Sequence, residues 1–493
     1  MSSLLAKERI TAGPRFNRWL IPPAALAIHL CIGQAYAFSV FKLPLNTMLG
    51  KAHGLFDANK QPVQWKAPPA AAQNWLVWLS DNLRFLTDRE YDWSQPQLAW
   101  IFTIAIVFLG LSAAAAGWWL EKAGPRKSGF VAACCWSMGF VVSAIGVWLH
   151  QLWMLYLGYG VLGGCGLGLG YITPVSTLIR WFPDRRGMAT GMAIMGFGGG
   201  AMIASPLSNI LMDWFKTAST TGVPETFLIL GAIYFVAMTA GAFLFRLPPP
   251  GWRPLGWTPP AHATRLVTTN YVLPSAAIAT LSFYLLWAVL FLNVTAGIGI
   301  IEQASPMIQE VFNGRVSKDA ATGFVGLLSL FNLVGRFAWS SASDRLGRKP
   351  TYAIFFALGA ALFIALPFTW RAGSVPLFVA CTGVILSMYG GGFAAIPAYL
   401  SDIFGTRYVG AIHGRLLTAW SAAGVAGPVL VNYIRQNQID HHVPKANAYD
   451  VTMYLMAGLL AVGFVCNLLV SRVHPRHYAV PAETPGELAP AKT

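Results

Sequence analysis

The chain has 493 residues, of which 55% are hydrophobic and only 11% are Asp, Glu, Lys or Arg, and its mean hydropathy is +0.54. Soluble domains carry about 25% charged residues, so this composition excludes a water-soluble globular protein and indicates a polytopic membrane protein. A formal charge of +15 favours a nucleic-acid partner only where the basic residues form one surface.

Apolar stretches long enough to cross a bilayer recur along the whole chain. A membrane helix needs about 20 apolar residues, and this length predicts an all-α, polytopic membrane protein with twelve transmembrane helices. The predicted spans are residues 19–41, 96–120, 127–149, 152–181, 187–211, 226–246, 273–301, 321–341, 351–370, 375–401, 409–434 and 451–471.

The Lys and Arg residues cluster in the two tails and in the connections that follow the even-numbered spans. Apart from Lys127, Arg180 and Arg246 at span ends, only Arg336 and Arg415 lie within spans. Positive residues collect in cytoplasmic loops. We therefore expect a multi-pass protein of the cell's inner (plasma) membrane with both termini in the cytoplasm. The basicity then reflects topology in the lipid bilayer, and we expect no nucleic-acid partner.

The sequence repeats itself in two halves. The turn GWWLEKAGPRK after the second span reappears after the eighth as SSASDRLGRK, which aligns Glu121 with Asp344, and the same interval separates Pro174 from Pro397. Two parallel halves related by an axis normal to the membrane are typical of transporters, in which substrate binds between the halves near the midplane.

This repeat divides the chain into five predicted segments. They are a cytoplasmic tail (1–18), a six-helix bundle (19–246) with a long outer loop at about 50–95, a cytoplasmic linker (247–272), a second six-helix bundle (273–471) and a cytoplasmic tail (472–493). The linker contains PPPGWRPLGWTPP, whose prolines cannot continue a helix.

Both turns resemble the signature turn of the major facilitator superfamily. The residues that carry this resemblance are Gly117, Glu121, Lys122, Arg126, Asp344, Arg345 and Arg348. In addition, GQAYAFSVF, YITPVSTLIRWFPDRRGMATGMA and PAYLSDIFG are similar to the oxalate/formate antiporter branch, which is close to the monocarboxylate transporters. The resemblance implies two pseudo-symmetric six-helix bundles, alternating access, and a conformational role for the two turns.

Arg336 stands alone among apolar residues of the eighth span. It precedes Asp344 by about 12 Å of helix, inside a hydrocarbon layer about 30 Å thick, where an arginine costs at least about 2.5 kcal/mol on insertion scales. A guanidinium offers paired donors that match a carboxylate. We predict that Arg336 binds the substrate anion, as the resemblance also implies; the alternative is a packing arginine bonded to backbone carbonyls.

The resemblance places aromatic side chains around this arginine. The candidates are Tyr36, Tyr171, Tyr389 and Phe393, with Gln34 as a polar neighbour, although each is also explained by helix packing. Tyr389 and Phe393 are four residues apart and therefore share a helix face.

Two positions depart from the related families. Oxalate exchangers of this branch have a lysine in the eleventh span where this chain has Trp420, and monocarboxylate transporters have a proton-carrying aspartate where it has Asn332. We count Trp420 and Asn332 among the predicted substrate-binding residues. One central positive charge suits a monoanion, because a second buried carboxylate would lack a partner.

Without that aspartate, the candidate for proton coupling is His29 in the first span. An unperturbed imidazole titrates near neutral pH, and its neutral form is readily buried; the alternative is a hydrogen-bonded packing histidine. His413 and Arg415 lie near the cytoplasmic start of the eleventh span, where we expect packing and snorkelling roles.

These observations predict secondary active transport of a small monocarboxylate, such as lactate, pyruvate or formate, coupled to a proton. The alternatives are an oxalate/formate-type exchanger, which needs a counter-anion, and a non-transporting membrane sensor. We expect no enzymatic activity, no cofactor, no metal site and no disulfide, since the six cysteines all fall within predicted spans as small packing residues.

Overall fold

The computed structural model describes residues 7–48 and 86–479, except 14, 88, 90–91, 218–219, 258–266, 269 and 313–314. Twelve helices in this part of the chain are long and apolar enough to cross a membrane, which confirms the predicted fold class. They are α1 Arg18–Ala37, α2 Gln95–Ala123, α3 Pro125–Trp148, α4 Leu152–Trp181, α5 Arg186–Phe215, α6 Val223–Leu244, α7 Leu281–Val311, α8 Lys318–Leu346, α9 Arg348–Arg371, α10 Val375–Phe404, α11 Val409–Asp440 and α12 Asp450–Leu469.

The predicted bounds are least accurate for the seventh span. Residues 273–301 were expected to be one helix, but Pro274–Ala277 is a separate short helix and α7 begins at Leu281. Thr280 caps it, because its side-chain oxygen accepts a hydrogen bond from the backbone N–H of Phe283 at 3.3 Å.

The outer end of α7 also differs from the prediction, because the helix continues to Val311. Glu310 accepts two hydrogen bonds from Arg435 on α11, with Arg435 Nε at 3.0 Å, and one from the hydroxyl of Tyr449 at 2.9 Å. This pairing stabilises a charged helix end that hydropathy alone places outside the span.

Six helices pack together in each half of the molecule. In the first half α3 packs along α6 and α2 along α4, and in the second half α8 packs along α10 and α9 along α12. The halves meet where α5 packs against α8 and α10, and where α2 packs against α11. Of the long loop predicted at about 50–95, residues 50–85 lie outside the described residues.

Both described chain ends lie on one side of the bundle. Thr11 pairs with Leu247, and Tyr478 with Val272, as isolated β-bridges, so the chain ends lie beside the connection between α6 and α7. We call this the terminal side and the opposite side the loop side.

Small residues bring α2 and α11 together on the terminal side. A Cβ added to Gly117 of α2 would lie 2.8 Å from the Cα of Ala411, and a Cβ added to Gly414 of α11 would overlap the carbonyl oxygen of Ala113. Backbones approach this closely only where one partner lacks a side chain.

Replacing Gly414 by leucine is therefore expected to separate α2 from α11 and to favour the conformation that is open on the terminal side. Spin-label distances measured across that side should lengthen. Gly458→Leu is the matched control, because nothing lies within 4 Å of a Cβ added there. Unchanged distances in the Gly414 variant would show that this contact does not hold the terminal side closed.

Candidate functional site

Arg336 is fully buried on α8, where its side chain meets the other half of the molecule. Its Nε donates to Oδ1 of Asn332 at 3.0 Å, one turn earlier on the same helix. Its Nη1 donates to the carbonyl oxygen of Ile194 on α5 at 3.4 Å. The guanidinium is therefore fixed at two of its three nitrogens and lies at the interface between the halves.

Glycines of the neighbouring helices leave space for this pair of side chains. A Cβ added to Gly198 of α5 would lie 2.9 Å from Nε of Arg336, and one added to Gly390 of α10 would lie 2.6 Å from Oδ1 of Asn332. The glycine runs in α5 and α10 thus admit Arg336 and Asn332 as well as allowing close helix packing.

Two phenyl rings, one from each half, pack against the guanidinium. Cζ of Arg336 lies 5.6 Å from the ring centroid of Phe197 on α5 and 5.3 Å from that of Phe393 on α10. An aromatic face attracts a cation, more strongly where water is excluded. These contacts stabilise the positive charge without using its outward-facing donors.

The predicted aromatic residues surround this centre. Tyr36 and Tyr389 meet at the interface, with their hydroxyl oxygens 3.4 Å apart. The ring of Trp420 lies 4.5 Å from Phe393 and 5.4 Å from Tyr171. The structure therefore brings the four predicted aromatics and Trp420 into one ring cluster around Arg336.

Several donors in this cluster lack a partner among the described residues. Arg336 Nη2, the Tyr171 hydroxyl and Trp420 Nε1 are all buried and make no hydrogen bond there. The hydroxyls of Tyr36 and Tyr171 nevertheless lie close enough to the guanidinium to interact with its charge and to form weak hydrogen bonds with it, outside normal hydrogen-bond geometry. Buried polar groups are normally hydrogen-bonded, so this concentration of donors is chemically suited to a small acceptor such as a carboxylate.

Gln34 lies apart from this cluster. Its Oε1 accepts a hydrogen bond from the hydroxyl of Tyr159 on α4 at 3.0 Å, and the ring of Tyr159 packs on Phe38 and Trp136 inside the first half. No described contact joins Gln34 to Arg336, so the geometry favours the packing interpretation for this residue.

His29 of α1 is fully buried beside the cluster. Its ring lies edge-on to Tyr171 at 5.3 Å, and it interacts electrostatically with Arg336 and with His413 of α11. The ring of His413 lies 5.9 Å from that of Tyr171. Nothing in the sequence groups His413 with His29, because the two residues belong to helices of different halves.

Two adjacent cavities, which share Tyr36, Ser39, Ile301 and Val325 as lining residues, lie on the loop side of the cluster. The outer cavity, of about 310 Å³, lies between the halves and is lined by Tyr36, Phe102, Ile298 and Gly424 among others. The inner cavity, of about 110 Å³, also contacts Tyr36 and reaches Asn332. A small solute can therefore approach as far as Asn332 from the loop side, and contact with Arg336, which is fully buried, requires the surrounding side chains to move.

The second predicted turn closes the terminal side. Asp344 accepts hydrogen bonds from the backbone N–H groups of Gly187 and Met188, both at 2.8 Å, at the start of α5 in the other half. Arg348 also donates to Asp344, at 2.5 Å, whereas Arg345 is exposed. A carboxylate at a helix N-terminus satisfies free N–H groups and the helix dipole, so Asp344 joins the two halves.

Arg348 extends this junction to α10. Its Nε donates to Asp402 at 3.2 Å, and the other carboxylate oxygen of Asp402 accepts from Arg186 of α5 at 2.9 Å. These alternating charges link three helices across the interface on the terminal side.

The first predicted turn has a similar but less direct arrangement. Glu121 pairs with Arg180 of α4 in its own half, and Arg180 Nη2 donates to the carbonyl oxygen of Arg407 in the other half at 3.4 Å. Lys122 lies over the ring of Trp118 at 5.3 Å. Arg126 donates to the carbonyl oxygen of Phe243 at 3.1 Å, which ties α3 to α6 within one half.

Arg415, the other arginine of a predicted span, does not join the central cluster. It is half-buried, and its Nη1 donates to the carbonyl oxygen of Ala411 on its own helix at 2.9 Å. Among the described residues, no group of three or more His, Cys, Asp or Glu is arranged to hold a metal ion.

Sequence comparisons agree with this architecture. A family model described as the Major Facilitator Superfamily matches residues 85–428 and 272–493. The chain is 28% identical over 331 residues to an oxalate:formate antiporter of Oxalobacter formigenes, covering 66% of this chain and 73% of that relative. It is 25% identical over 390 residues to apicoplast pyruvate carrier 1 of Toxoplasma gondii, covering 69% and 70%. Over 161 residues, 33% of this chain and 32% of the relative, it is 32% identical to human monocarboxylate transporter 11.

Solved structures share the fold at low sequence identity. The transporter FucP in its outward conformation superposes with a TM-score of 0.60 at 13% identity, covering 92% of this chain and 100% of FucP. The human organic anion transporter MFSD10 superposes with a TM-score of 0.59 at 17% identity, with the same coverage. The family-model match and the twelve-helix fold together identify this chain as a member of the Major Facilitator Superfamily, a family of membrane transporters and not of enzymes.

Proposed function

We propose that this protein is a secondary active transporter of a small monocarboxylate, that it is coupled to a proton, and that it works by alternating access of the Arg336 site. The observation that carries the proposal is the guanidinium itself. It is buried, fixed by Asn332 and Ile194, and retains Nη2 without a partner among the described residues. Arginine and carboxylate make short, charge-assisted hydrogen bonds in such a setting.

The single positive charge at the site favours a monoanion as substrate. Arg336 is the cation in contact with the ring cluster, whereas Arg415 bonds to its own helix. Trp420 fills the position at which oxalate exchangers of the resembling branch have a lysine. A second carboxylate placed among Trp420, Phe393 and Phe197 would lose its hydration without gaining a cation.

The second candidate function is an oxalate/formate-type exchanger. The relative from Oxalobacter formigenes carries that name and is 28% identical to this chain. Such an exchanger moves one anion against another and needs no proton. Saturable counterflow of labelled oxalate that equals counterflow of labelled pyruvate would favour this function over the first.

The direction of access follows from the predicted topology. If the terminal side faces the cytoplasm, as the distribution of Lys and Arg predicts, the two cavities on the loop side open outward. Asp344 and its partners then close the inner side. Rocking of the halves would break the contacts of Asp344 and expose Arg336 to the cytoplasm.

Proton coupling balances the charge that the carrier moves. A monoanion carries one negative charge against or along a membrane potential, which is worth about 2.3 kcal/mol per charge per 100 mV. Co-transport of one proton makes the transported unit neutral. The proton carrier is His29, another polar group or the acid itself.

A panel of labelled acids in proteoliposomes tests the proposed substrate class. We expect pyruvate, lactate or formate to be taken up faster when the external pH is lowered, and an uncoupler to abolish accumulation. We expect oxalate to be taken up at least about 10-fold more slowly, since one unpaired buried charge costs several kcal/mol. Protein-free liposomes are the control. Binding without uptake of any acid would favour the non-transporting sensor.

A further inference from the structure

His29 and His413 form an unusual pair across the two halves. His29 is 0% exposed and His413 1% exposed. Their four ring nitrogens make no hydrogen bond of normal geometry among the described residues, although the backbone at Ala25 and Tyr171 lies close enough to interact with the His29 ring. Tyr171 contacts both rings, at 5.3 Å and 5.9 Å. His413 precedes Trp420 by about two turns of α11, so the pair lies between the Arg336 cluster and the closed terminal side.

We propose that His29 and His413 together form the site that binds the transported proton. This inference rests on the proposed proton-coupled function and assigns that proton to a site shared by the two halves, one histidine from each. The proton adds to the lone pair of one imidazole nitrogen, and no other bond forms or breaks.

The groups around the pair make proton binding depend on substrate. His29 interacts with Arg336 on α8 and with His413, and both rings face the hydroxyl-bearing ring of Tyr171 on α4. From α5, Gly196 packs on His29 and brings no titratable group. From α2, Glu121 lies against Gly410, one turn before His413, but it is paired with Arg180.

Electrostatic interactions then couple the binding of the proton to the binding of the carboxylate substrate. A proton on either histidine adds a second positive charge to a buried compartment that already holds Arg336, which opposes proton binding. A carboxylate on Arg336 cancels the first charge and attracts the proton. For two unit charges assumed to be about 6 Å apart in an effective dielectric constant of about 20, this attraction raises each ligand's affinity for the site about 100-fold.

The location of the pair explains release. His29 belongs to α1 and His413 to α11, which lie in different halves, so the rocking movement that opens the terminal side separates them. Water then reaches both rings and accepts the proton, while the carboxylate leaves Arg336. The site is therefore shared when the terminal side is closed and divided when it is open.

Pyruvate transport by His413→Gln, His29→Gln and the double variant tests the inference. For each protein, accumulation of labelled pyruvate driven by an inward pH gradient is divided by pyruvate–pyruvate exchange at equal pH. We expect this ratio to fall about 10-fold or more in each single variant. His441→Gln, which removes an exposed imidazole from the loop side, is expected to keep the wild-type ratio.

A second measurement keeps the inference testable if a variant transports poorly. Pyruvate added to purified, unbuffered wild-type protein should cause proton uptake from solution, and the folded double variant should show none. Wild-type proton uptake or an unchanged transport ratio in the histidine variants would overturn the inference and leave the proton to another polar group or to the acid itself. If the Arg336→Lys variant transported pyruvate as well as wild type does, the proposed function would fail, and the histidine assignment would fail with it.

Discussion

Replacing Arg336 by lysine is expected to lower kcat/KM for monocarboxylate uptake about 10- to 100-fold while the protein remains folded. The ammonium keeps the positive charge but cannot hold Asn332 and a carboxylate through a planar fork. Loss of one hydrogen bond to a charged group costs about 1.5–3 kcal/mol, which corresponds to this range of rates. Initial uptake rates in proteoliposomes measure the effect, and thermal unfolding in detergent checks the fold.

Arg415→Lys is the matched control for this change. It makes the same substitution within a spanning helix, but Arg415 lies outside the ring cluster, and its guanidinium donates to the carbonyl oxygen of Ala411 on its own helix. Its uptake kinetics should stay within about twofold of wild type, since exposed or half-buried charges contribute little. Wild-type affinity for pyruvate in the Arg336 variant would show that the anion binds elsewhere.

Replacing Asp344 by asparagine is expected to weaken closure of the terminal side about 10-fold while substrate binding is retained. The amide accepts a hydrogen bond from only one of Gly187 and Met188 and turns an NH₂ group toward the other. It also loses the favourable interaction of a negative charge with the N-terminus of α5, worth up to about 2 kcal/mol. Spin-label distances across the terminal side report closure, and ligand-induced thermal stabilisation reports binding.

Two comparisons sharpen this test. Glu121→Gln should have a smaller effect on closure, because Glu121 pairs with Arg180 in its own half and reaches the other half only indirectly. Asp213→Asn, at an exposed position of α5, should change neither measurement. If ligand stabilisation disappeared in the folded Asp344 variant, this turn would belong to the binding site and not to the closure of the halves.

Hydropathy predicted the twelve helices because spanning length is set by the bilayer, and the repeated turns predicted the superfamily. Helix ends were less predictable. The predicted seventh span ends at residue 301, but the helix continues to Val311, and Glu310 near its end pairs with Arg435 and Tyr449. Such partners lie far away in the chain, so a local window of residues does not contain the interaction that extends the helix.

The central arginine was predictable from one physical fact, the free energy of placing a charge in hydrocarbon. Its neighbours were not equally predictable. Tyr36 and Gln34 are two residues apart in the first helix, yet Tyr36 meets Tyr389 at the interface and Gln34 meets Tyr159 inside one half. The two side chains point to different faces of the helix, and the amino-acid composition does not indicate which face meets the other half.

His413 shows what a sequence alone leaves out. It shares Tyr171 with His29, but in the sequence it is one of many residues near the start of its helix. Its role depends on a contact between helices of opposite halves. A sequence pattern within one helix does not contain the distance between two helices.

A structure of the protein bound to 2-bromopropionate tests the central claim most directly, because bromine scatters anomalously and marks the ligand's position. We predict that one carboxylate oxygen lies about 2.8 Å from Nη2 of Arg336, with the bromine against the rings of Phe197, Phe393 or Trp420. Bromine density confined to the outer cavity, with Arg336 still bonded only to Asn332 and Ile194, would contradict the assignment of Arg336 as the anion-binding residue.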